Sequence, residues 1–274
     1  MTMHSFVKLT GTIAVTLILG LQARASGIDQ ASTFDVDVAI VFAVDSSSSI
    51  DRGTADLQRN GHVAALTSPE FIKALSGNHL GCIGITYFEW ASPQQIRTVL
   101  PWTRICGRQD AEAAARVISR KGATGFSRGV RGGTSISAAI GVASLLLDRF
   151  PGNADRKVID ISGNGENNDG LPVLQAREKA IDKGYTINAI AIPSKDEAAL
   201  GRPLASYFAE DVIGGFQAFV MVPRSTSDYT KALRRKLVTE IALNIGPNLA
   251  NSEERLGWRL VTTVADARYG ASKW

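Results

Sequence analysis

The stretch DVDVAIVFAVDSSSS, from Asp35 to Ser49, decides the fold. As far as Val44 it is a nearly continuous run of β-branched and other apolar residues, which is typical of a strand buried on both faces of a parallel sheet. The run stops at Asp45, and four serines follow directly. Polyserine is usually linker composition. Behind a buried strand, however, we interpret the carboxylate and the hydroxyls as groups arranged around a site.

Predicted strands and helices alternate outward from this strand. Apolar residues at helical spacing predict helices at Gly53–Leu75 and Ser135–Phe150, and a β-branched run predicts a buried strand at Tyr185–Ile192. One hairpin is inserted, formed by Cys82–Trp90 and Ile96–Trp102. This order predicts an α/β fold with a doubly wound, mostly parallel sheet, one antiparallel edge strand and helices on both faces.

The N-terminal residues are typical of a secretory signal peptide. An apolar run follows Lys8 and ends in the A-x-A pattern Ala23–Ala25, so we predict a signal peptide over residues 1–25. The apolar core from Gly11 to Leu21 is short for a membrane span, which needs about 20 residues. We therefore expect cleavage, no stable membrane insertion, and a periplasmic or secreted protein.

The rest of the chain divides into three parts. Residues 26–34 form a short N-terminal segment, residues 35–245 the folded domain, and residues 246–274 a tail with few core signals that we expect to be loosely ordered. Loss of two basic residues with the signal peptide lowers the basic count from 30 to 28 against 26 acidic residues, a net charge of +2. Because no basic stripe is interleaved with aromatic residues, we expect no nucleic-acid partner.

The two cysteines, Cys82 and Cys106, are predicted to form a disulfide. An oxidising export compartment favours the bond. In a hairpin that turns at Ala91–Pro93, the two residues also lie almost opposite each other. The alternative is two separate buried thiols.

Three oxygen-rich loops follow predicted strands or open a helix: DSSSS after the first strand, GGTS at Gly132–Ser135, and SGNGENNDG at Ser162–Gly170. In a doubly wound sheet such loops meet beyond the carboxyl ends of the strands. One carboxylate and several hydroxyls suit a hard divalent cation, Mg²⁺ or Ca²⁺, with Mn²⁺ as a further option. Glycines tolerate positive φ and have no side chain, so Gly132 and Gly133 would let their loop approach closely. The predicted metal-site residues are Asp45, Ser47, Ser49, Thr134 and Asn164.

These loops, in this order and spacing, resemble the metal-ion-dependent adhesion site of von Willebrand factor type A domains. The resemblance covers Asp35–Asn244, and the wording IDISGNGENN most resembles an exported bacterial group of this type without an assigned function, DUF1194. It implies a Rossmann-like fold and a non-catalytic module that engages an Asp or Glu of a protein partner through a bound divalent ion. By the same resemblance, Asp45, Ser47, Ser49 and Thr134 match the family's metal ligands.

Asn164 departs from the family pattern, which usually has aspartate there. The change removes one negative charge, so cation affinity should fall and the residual positive charge should favour an anionic partner group. Glu166 and Asp169 are candidates to compensate. The alternative function is a scaffold with a degenerate site, which binds partners without metal.

An enzyme is not expected. Gly125–Gly129 matches the hydrolase motif G-x-S-x-G, but that motif should follow a strand and needs a later histidine. The histidines after residue 25 are His62 and His79, and both precede the motif. They also lack the H-E-x-x-H spacing of zinc hydrolases.

Overall fold

A computed structural model describes residues 34–122, 132–193 and 202–242, together with the backbone of one further strand at 258–262. Its sheet has the strand order β3-β2-β1-β4-β5-β6-β7. Strands β1, β2, β4, β5 and β6 run parallel, whereas β3 and β7 are antiparallel to their neighbours. The strands are β1 Val36–Asp45, β2 Ile83–Trp90, β3 Ile96–Ile105, β4 Ala154–Gly163, β5 Thr186–Ala191, β6 Phe219–Pro223 and β7 Trp258–Thr262.

Helices cover both faces of the sheet, which confirms the predicted doubly wound α/β fold. Helices α1, α2, α3 and α7 contribute to the core on one face, and α4, α5 and α6 to the core on the other. A π-helical turn at Phe208–Val212 follows α6, and a 3₁₀ turn at Thr226–Asp228 precedes α7. The helices are α1 Arg52–Leu66, α2 Pro69–Ser76, α3 Arg108–Lys121, α4 Ile136–Asp148, α5 Val173–Asp182, α6 Leu204–Tyr207 and α7 Tyr229–Ile241.

Strand β1 lies at the centre of the fold. All of its residues are buried, because Ile40 and Phe42 pack into one core while Val41 and Ala43 pack into the other. This burial on two faces explains why its sequence is apolar without alternation. The strand order changes direction at β1, with β2 on one side and β4 on the other. The carboxyl end of β1 is therefore a topological switch point, where ligands of such folds bind.

The structure differs from the sequence prediction in two elements. The helix predicted at Gly53–Leu75 is two helices, because Ser68 accepts a hydrogen bond from the backbone N–H of Phe71 as the N-cap of α2 and Pro69 occupies the first helical position. Besides the predicted antiparallel edge strand, β3, the sheet has a second one, β7, within the predicted tail. The rest of that tail and the predicted signal peptide lie outside the described residues.

The predicted disulfide between Cys82 and Cys106 is present, with the two Cα atoms 4.1 Å apart. It closes the open end of the β2–β3 hairpin, next to the Ile83–Ile105 pair. Across the described ranges, no helix is both long enough and apolar enough to cross a membrane.

A charged cluster lies buried between the sheet and α7. The Lys236 ammonium is 2.6 Å from a carboxylate oxygen of Asp160 and also contacts the Glu240 carboxylate, one helical turn along. Asn188 donates to the same Glu240 oxygen at 2.9 Å and accepts from the backbone N–H of Phe219. Burial raises the pKa of Glu240 to about 8, and the negative charge of Asp160 acts in the same direction.

Candidate metal site

The site begins with Asp45, the last residue of β1, whose side chain is buried. One carboxylate oxygen, Oδ1, accepts the backbone N–H of Ser47 at 2.7 Å. The other, Oδ2, is buried and has no hydrogen-bond partner among the described residues. Burial raises the pKa of Asp45 to about 6, although polar groups of Ser47 and Asn164 partly oppose this effect. A buried carboxylate with an unpartnered oxygen is costly unless it is paired or coordinates a metal.

The serine loop turns the hydroxyls of Ser47 and Ser49 together. Their Oγ atoms are 3.1 Å apart, and Ser49 Oγ donates to the amide oxygen of Asn164 at 2.8 Å. The Asn164 side chain donates in return to the carbonyl of Ser49 at 3.3 Å. Ser46 and Ser48 support the loop instead, since the backbone N–H of Ser46 donates to the carbonyl of Trp90 at 2.7 Å and that of Ser48 donates to the carbonyl of Gly132 at 3.2 Å.

Thr134 reaches the same region from the start of α4. Its side chain is buried, its backbone N–H donates to Oδ1 of Asn168 at 2.8 Å, and its carbonyl accepts the N–H of Asn168 at 2.9 Å. A Cβ added at Gly163 would lie 3.3 Å from Asp45 Oδ2, and one added at Gly165 would lie 3.9 Å from Thr134 Oγ1. The short segment that carries Asn164 therefore borders both the carboxylate and the threonine hydroxyl.

The two loop glycines are required for space. A Cβ at Gly132 would lie 2.0 Å from the side-chain oxygen of Gln95, and a Cβ at Gly133 would lie 2.7 Å from Cβ of Asp169. Neither glycine has a positive φ. The close approach predicted for this loop is present, but it depends on the absent side chain and not on a left-handed backbone.

Glu166 forms an ion pair with an arginine. Arg202 contacts Glu166 at 3.4 Å and Glu210 at 2.8 Å, and it also pairs with Asp211. The arginine lies over the ring of Tyr207, 4.8 Å from the centroid. Glu166 thus anchors the loop after β4. The described part of the chain contains no group of three or more His, Cys, Asp or Glu residues placed to hold a metal, so the candidate site consists of one carboxylate with hydroxyl and amide oxygens.

A chain of buried hydrogen bonds holds the backbone of Asp45 in place, and the sequence did not predict it. The side-chain amide of Gln58, on α1, donates to the backbone carbonyl of Asp45 at 2.9 Å. Ser162 Oγ lies 2.7 Å from the Gln58 amide oxygen and 3.1 Å from the hydroxyl of Tyr229 on α7. Because the Asp45 carbonyl can only accept, the amide orientation is fixed, Ser162 must donate to Gln58, and Tyr229 must donate to Ser162.

The sequence contains a signal for this chain of hydrogen bonds. Gln58 is a polar residue on the buried face of a predicted helix, and such a residue needs an internal partner. His62, one turn later, is also buried: its Nδ1 is 2.8 Å from the Gln58 carbonyl, and its ring packs against Phe42 and Tyr87, each with centroids 5.1 Å apart. Burial lowers the pKa of His62. The G-x-S-x-G motif at Gly125–Gly129 lies outside the described residues.

The donor set fits a hard divalent cation. Asp45 Oδ2 is an unpartnered buried anion, and the oxygens of Ser47, Ser49 and Asn164 adjoin one another beside it. Carboxylate, hydroxyl and amide oxygens are the ligands that Mg²⁺, Ca²⁺ and Mn²⁺ prefer.

Comparison with known proteins finds structures of similar fold. Proximal thread matrix protein 1 from the mussel byssus superposes with a TM-score of 0.52 at 19% identity, over 76% of this chain and 48% of that one. A structure of the same protein with a zinc-occupied MIDAS motif gives a TM-score of 0.52 at 18% identity, over 77% and 48%. The pilus adhesin SpaC from Lactobacillus rhamnosus GG gives 0.52 at 15% identity, over 74% and 30%.

At these identities the structural likeness shows the fold, and the chain spans about half the length of the mussel protein. No curated protein matches the chain significantly. The family described as "Protein of unknown function (DUF1194)" matches residues 35–245. The chain therefore belongs to the DUF1194 family, and its fold is that of a von Willebrand factor type A domain.

Proposed function

We propose that this protein is a non-catalytic binding module that holds a divalent cation at Asp45, Ser47, Ser49, Thr134 and Asn164 and uses it to engage an Asp or Glu of a protein partner. The observation that carries the proposal is the buried Asp45 carboxylate with its unpartnered Oδ2. A fold does not retain a buried, unpaired anion for stability, because the charge is costly to remove from water.

The neighbouring oxygens favour this role. Ser47 and Ser49 are turned toward each other, Ser49 also bonds Asn164, and Gly163 leaves room directly beside Asp45 Oδ2. A bound divalent ion would supply an open coordination position for a partner's carboxylate. Because Asn164 contributes no charge and Glu166 is held by Arg202, the loaded site would keep much of the ion's positive charge. That residual charge would favour an anionic group on the partner.

We also propose that the protein works outside the cytoplasm, in the periplasm or as a secreted protein. The disulfide between Cys82 and Cys106 supports this, because such bonds persist in oxidising compartments. The signal peptide predicted for residues 1–25 points the same way. The similar structures are described as a byssus matrix protein and a pilus adhesin, which is compatible with an external role.

Calorimetric titration of Mg²⁺, Ca²⁺, Mn²⁺ and Zn²⁺ into metal-stripped protein tests the proposal. We expect binding by the native chain, none by Asp45→Asn, and about tenfold tighter binding by Asn164→Asp, because cation affinity follows ligand charge. Glu70→Gln is the matched control, since it removes an exposed acid on α2 and should leave binding unchanged. Absence of binding to the native chain would refute the metal site.

A second readout separates a functional Asp45 from a structural one. In metal-free protein, Asp45→Asn removes the buried charge and should leave the fold at least as stable as the native one. If Asp45 were only structural, the same change would lower the melting temperature and metal would have no effect on either protein. Melting curves of both proteins, with and without metal, distinguish the two cases.

One observation favours the alternative of a metal-free scaffold. The Ser47 and Ser49 hydroxyls and the Asn164 amide already satisfy one another within the protein. In that case the native chain would bind no cation, and Asn164→Asp would restore binding. Partner binding by this scaffold would then be insensitive to chelators.

A further inference from the structure

An apolar groove of about 630 Å³ lies between α4 and α5. Two large apolar side chains at the groove are exposed to solvent: Leu145 by 54% and Leu171 by 68%. Exposed leucines are ordinary when isolated, but here they line one concavity together with small residues. The apolar and small lining residues are Pro93, Ala138, Gly141, Leu145, Leu171 and Ala176.

Gly141 lines this groove, and the fold itself does not require a glycine there. It lies in the middle of α4 and is exposed, and no described atom lies within 4 Å of the position that its Cβ would occupy. Its φ is not positive. Glycine is among the residues least favourable in a helix. Packing within the described chain therefore gives no reason for a glycine at this position, and a larger side chain there would extend into open space.

One end of the groove adjoins the loop that carries Thr134 of the candidate metal site. Ser135 and Gly170 line the groove. Ser135 directly follows Thr134, and Gly170 directly follows Asp169, whose backbone N–H donates to the Thr134 carbonyl at 3.3 Å. The charged lining residues, Lys179, Asp182 and Lys183, lie toward the other end of α5.

We propose that this α4–α5 groove binds apolar side chains of a partner segment whose Asp or Glu occupies the metal site. The inference rests on the proposed function and adds the chemistry of the partner: an acidic residue close to one or more leucine-like residues. Next to the site, the groove offers small and apolar side chains and hydroxyls, so an apolar neighbour of the acid fits there.

The size of the groove suits a few side chains of a partner segment. Its volume falls in the range of about 300–1,000 Å³ that is typical of pockets for small ligands. A groove of this size therefore suits an extended or helical segment with an acid beside its apolar residues.

Fluorescent peptides provide the test. The probe peptides carry one Asp and a Leu-Leu pair separated by Gly-Ser spacers of increasing length, and binding is measured by anisotropy with Mg²⁺ or Mn²⁺ present. Matched peptides replace the leucines with serine or the Asp with Asn. We expect the peptide with the best spacer to bind at least about tenfold more tightly than its serine counterpart.

Gly141→Leu fills the groove in a helix that accepts leucine well, and Gly141→Ala is the matched control that improves the helix without filling the groove. We expect Gly141→Leu to abolish the advantage of the leucine peptide, Gly141→Ala to retain it, and both to bind metal like the native chain. Equal binding of leucine and serine peptides at every spacer length, or full binding by Gly141→Leu, would overturn the proposal.

Failure of the proposed function gives a different result. The metal titration could show no binding while leucine peptides still bind and Gly141→Leu weakens that binding. This result would support peptide binding by the groove and refute the metal site. Two other occupants are also distinguished. A lower melting temperature of Gly141→Leu would indicate that the chain's own residues fill the groove, and a dimer lost in this variant on sedimentation would indicate a second copy. Either result overturns the partner-segment proposal.

Discussion

Removal of the disulfide should destabilise the protein by about 3.5 kcal/mol. Cys82 and Cys106 are 24 residues apart, and the chain-entropy relation for a loop of this length gives that value at 25 °C. The bond closes the open end of the β2–β3 hairpin, and β3 is an edge strand that pairs only with β2 among the described strands. Loss of the bond should therefore act mainly by giving the unfolded chain more freedom.

Urea unfolding of the Cys82→Ala/Cys106→Ala variant, followed by circular dichroism, measures the loss. The native protein after reduction is the matched control, because it keeps both side chains and loses only the covalent bond. We expect the reduced protein and the variant to lose similar free energies of unfolding, with a small excess in the variant because Cys82 is buried. A loss below about 1 kcal/mol in both would refute the entropic argument.

Two further predictions concern the buried charges and the loop glycine. The pKa of Glu240 is raised from 4.5 to about 8 in the folded protein, so its contribution to stability is complete below about pH 4.5 and is lost as the pH rises toward 8. The melting temperature of the native protein should therefore fall across this pH window, and Glu240→Gln should make that fall smaller. An unchanged slope in the variant would contradict the raised pKa of Glu240. A Cβ at Gly133 would lie 2.7 Å from Cβ of Asp169, so Gly133→Ala should displace the loop that carries Thr134. Calorimetry should then show metal binding weakened about tenfold, while the far-ultraviolet circular dichroism spectrum stays that of the native protein.

Much of the fold could be predicted from the sequence, because the strongest signals come from residues buried on two faces. Strand β1 packs into both cores, so its apolar run is continuous and unmistakable. Strand β7 has no such signal: WRLVT is short and lies at an edge. The break between α1 and α2 was missed because apolar periodicity continues across it, although Ser68 and Pro69 mark the new start.

The sequence predicts which loops meet at the site, because these loops follow the ends of predicted strands. Asp45 ends β1 and Asn164 directly follows the neighbouring parallel strand β4, so their proximity follows from topology alone. The role of Glu166 could not be predicted, because it depends on Arg202 from a distant segment. Gln58 was missed for the same reason: its partners, Asp45 and Ser162, come from two different strands.

The hydrogen bonds through Gln58 have one consequence for how the protein opens. Each donor in the hydrogen-bond chain from Tyr229 to the Asp45 carbonyl has a single acceptor, and reversing the Gln58 amide or the Ser162 hydroxyl would leave two acceptors facing each other. The hydrogen-bond chain therefore has one proton arrangement. Because it joins α1 and α7 to the ends of β1 and β4, amide hydrogens of the buried β1 residues that precede Asp45 should be among the slowest in the domain to exchange with solvent.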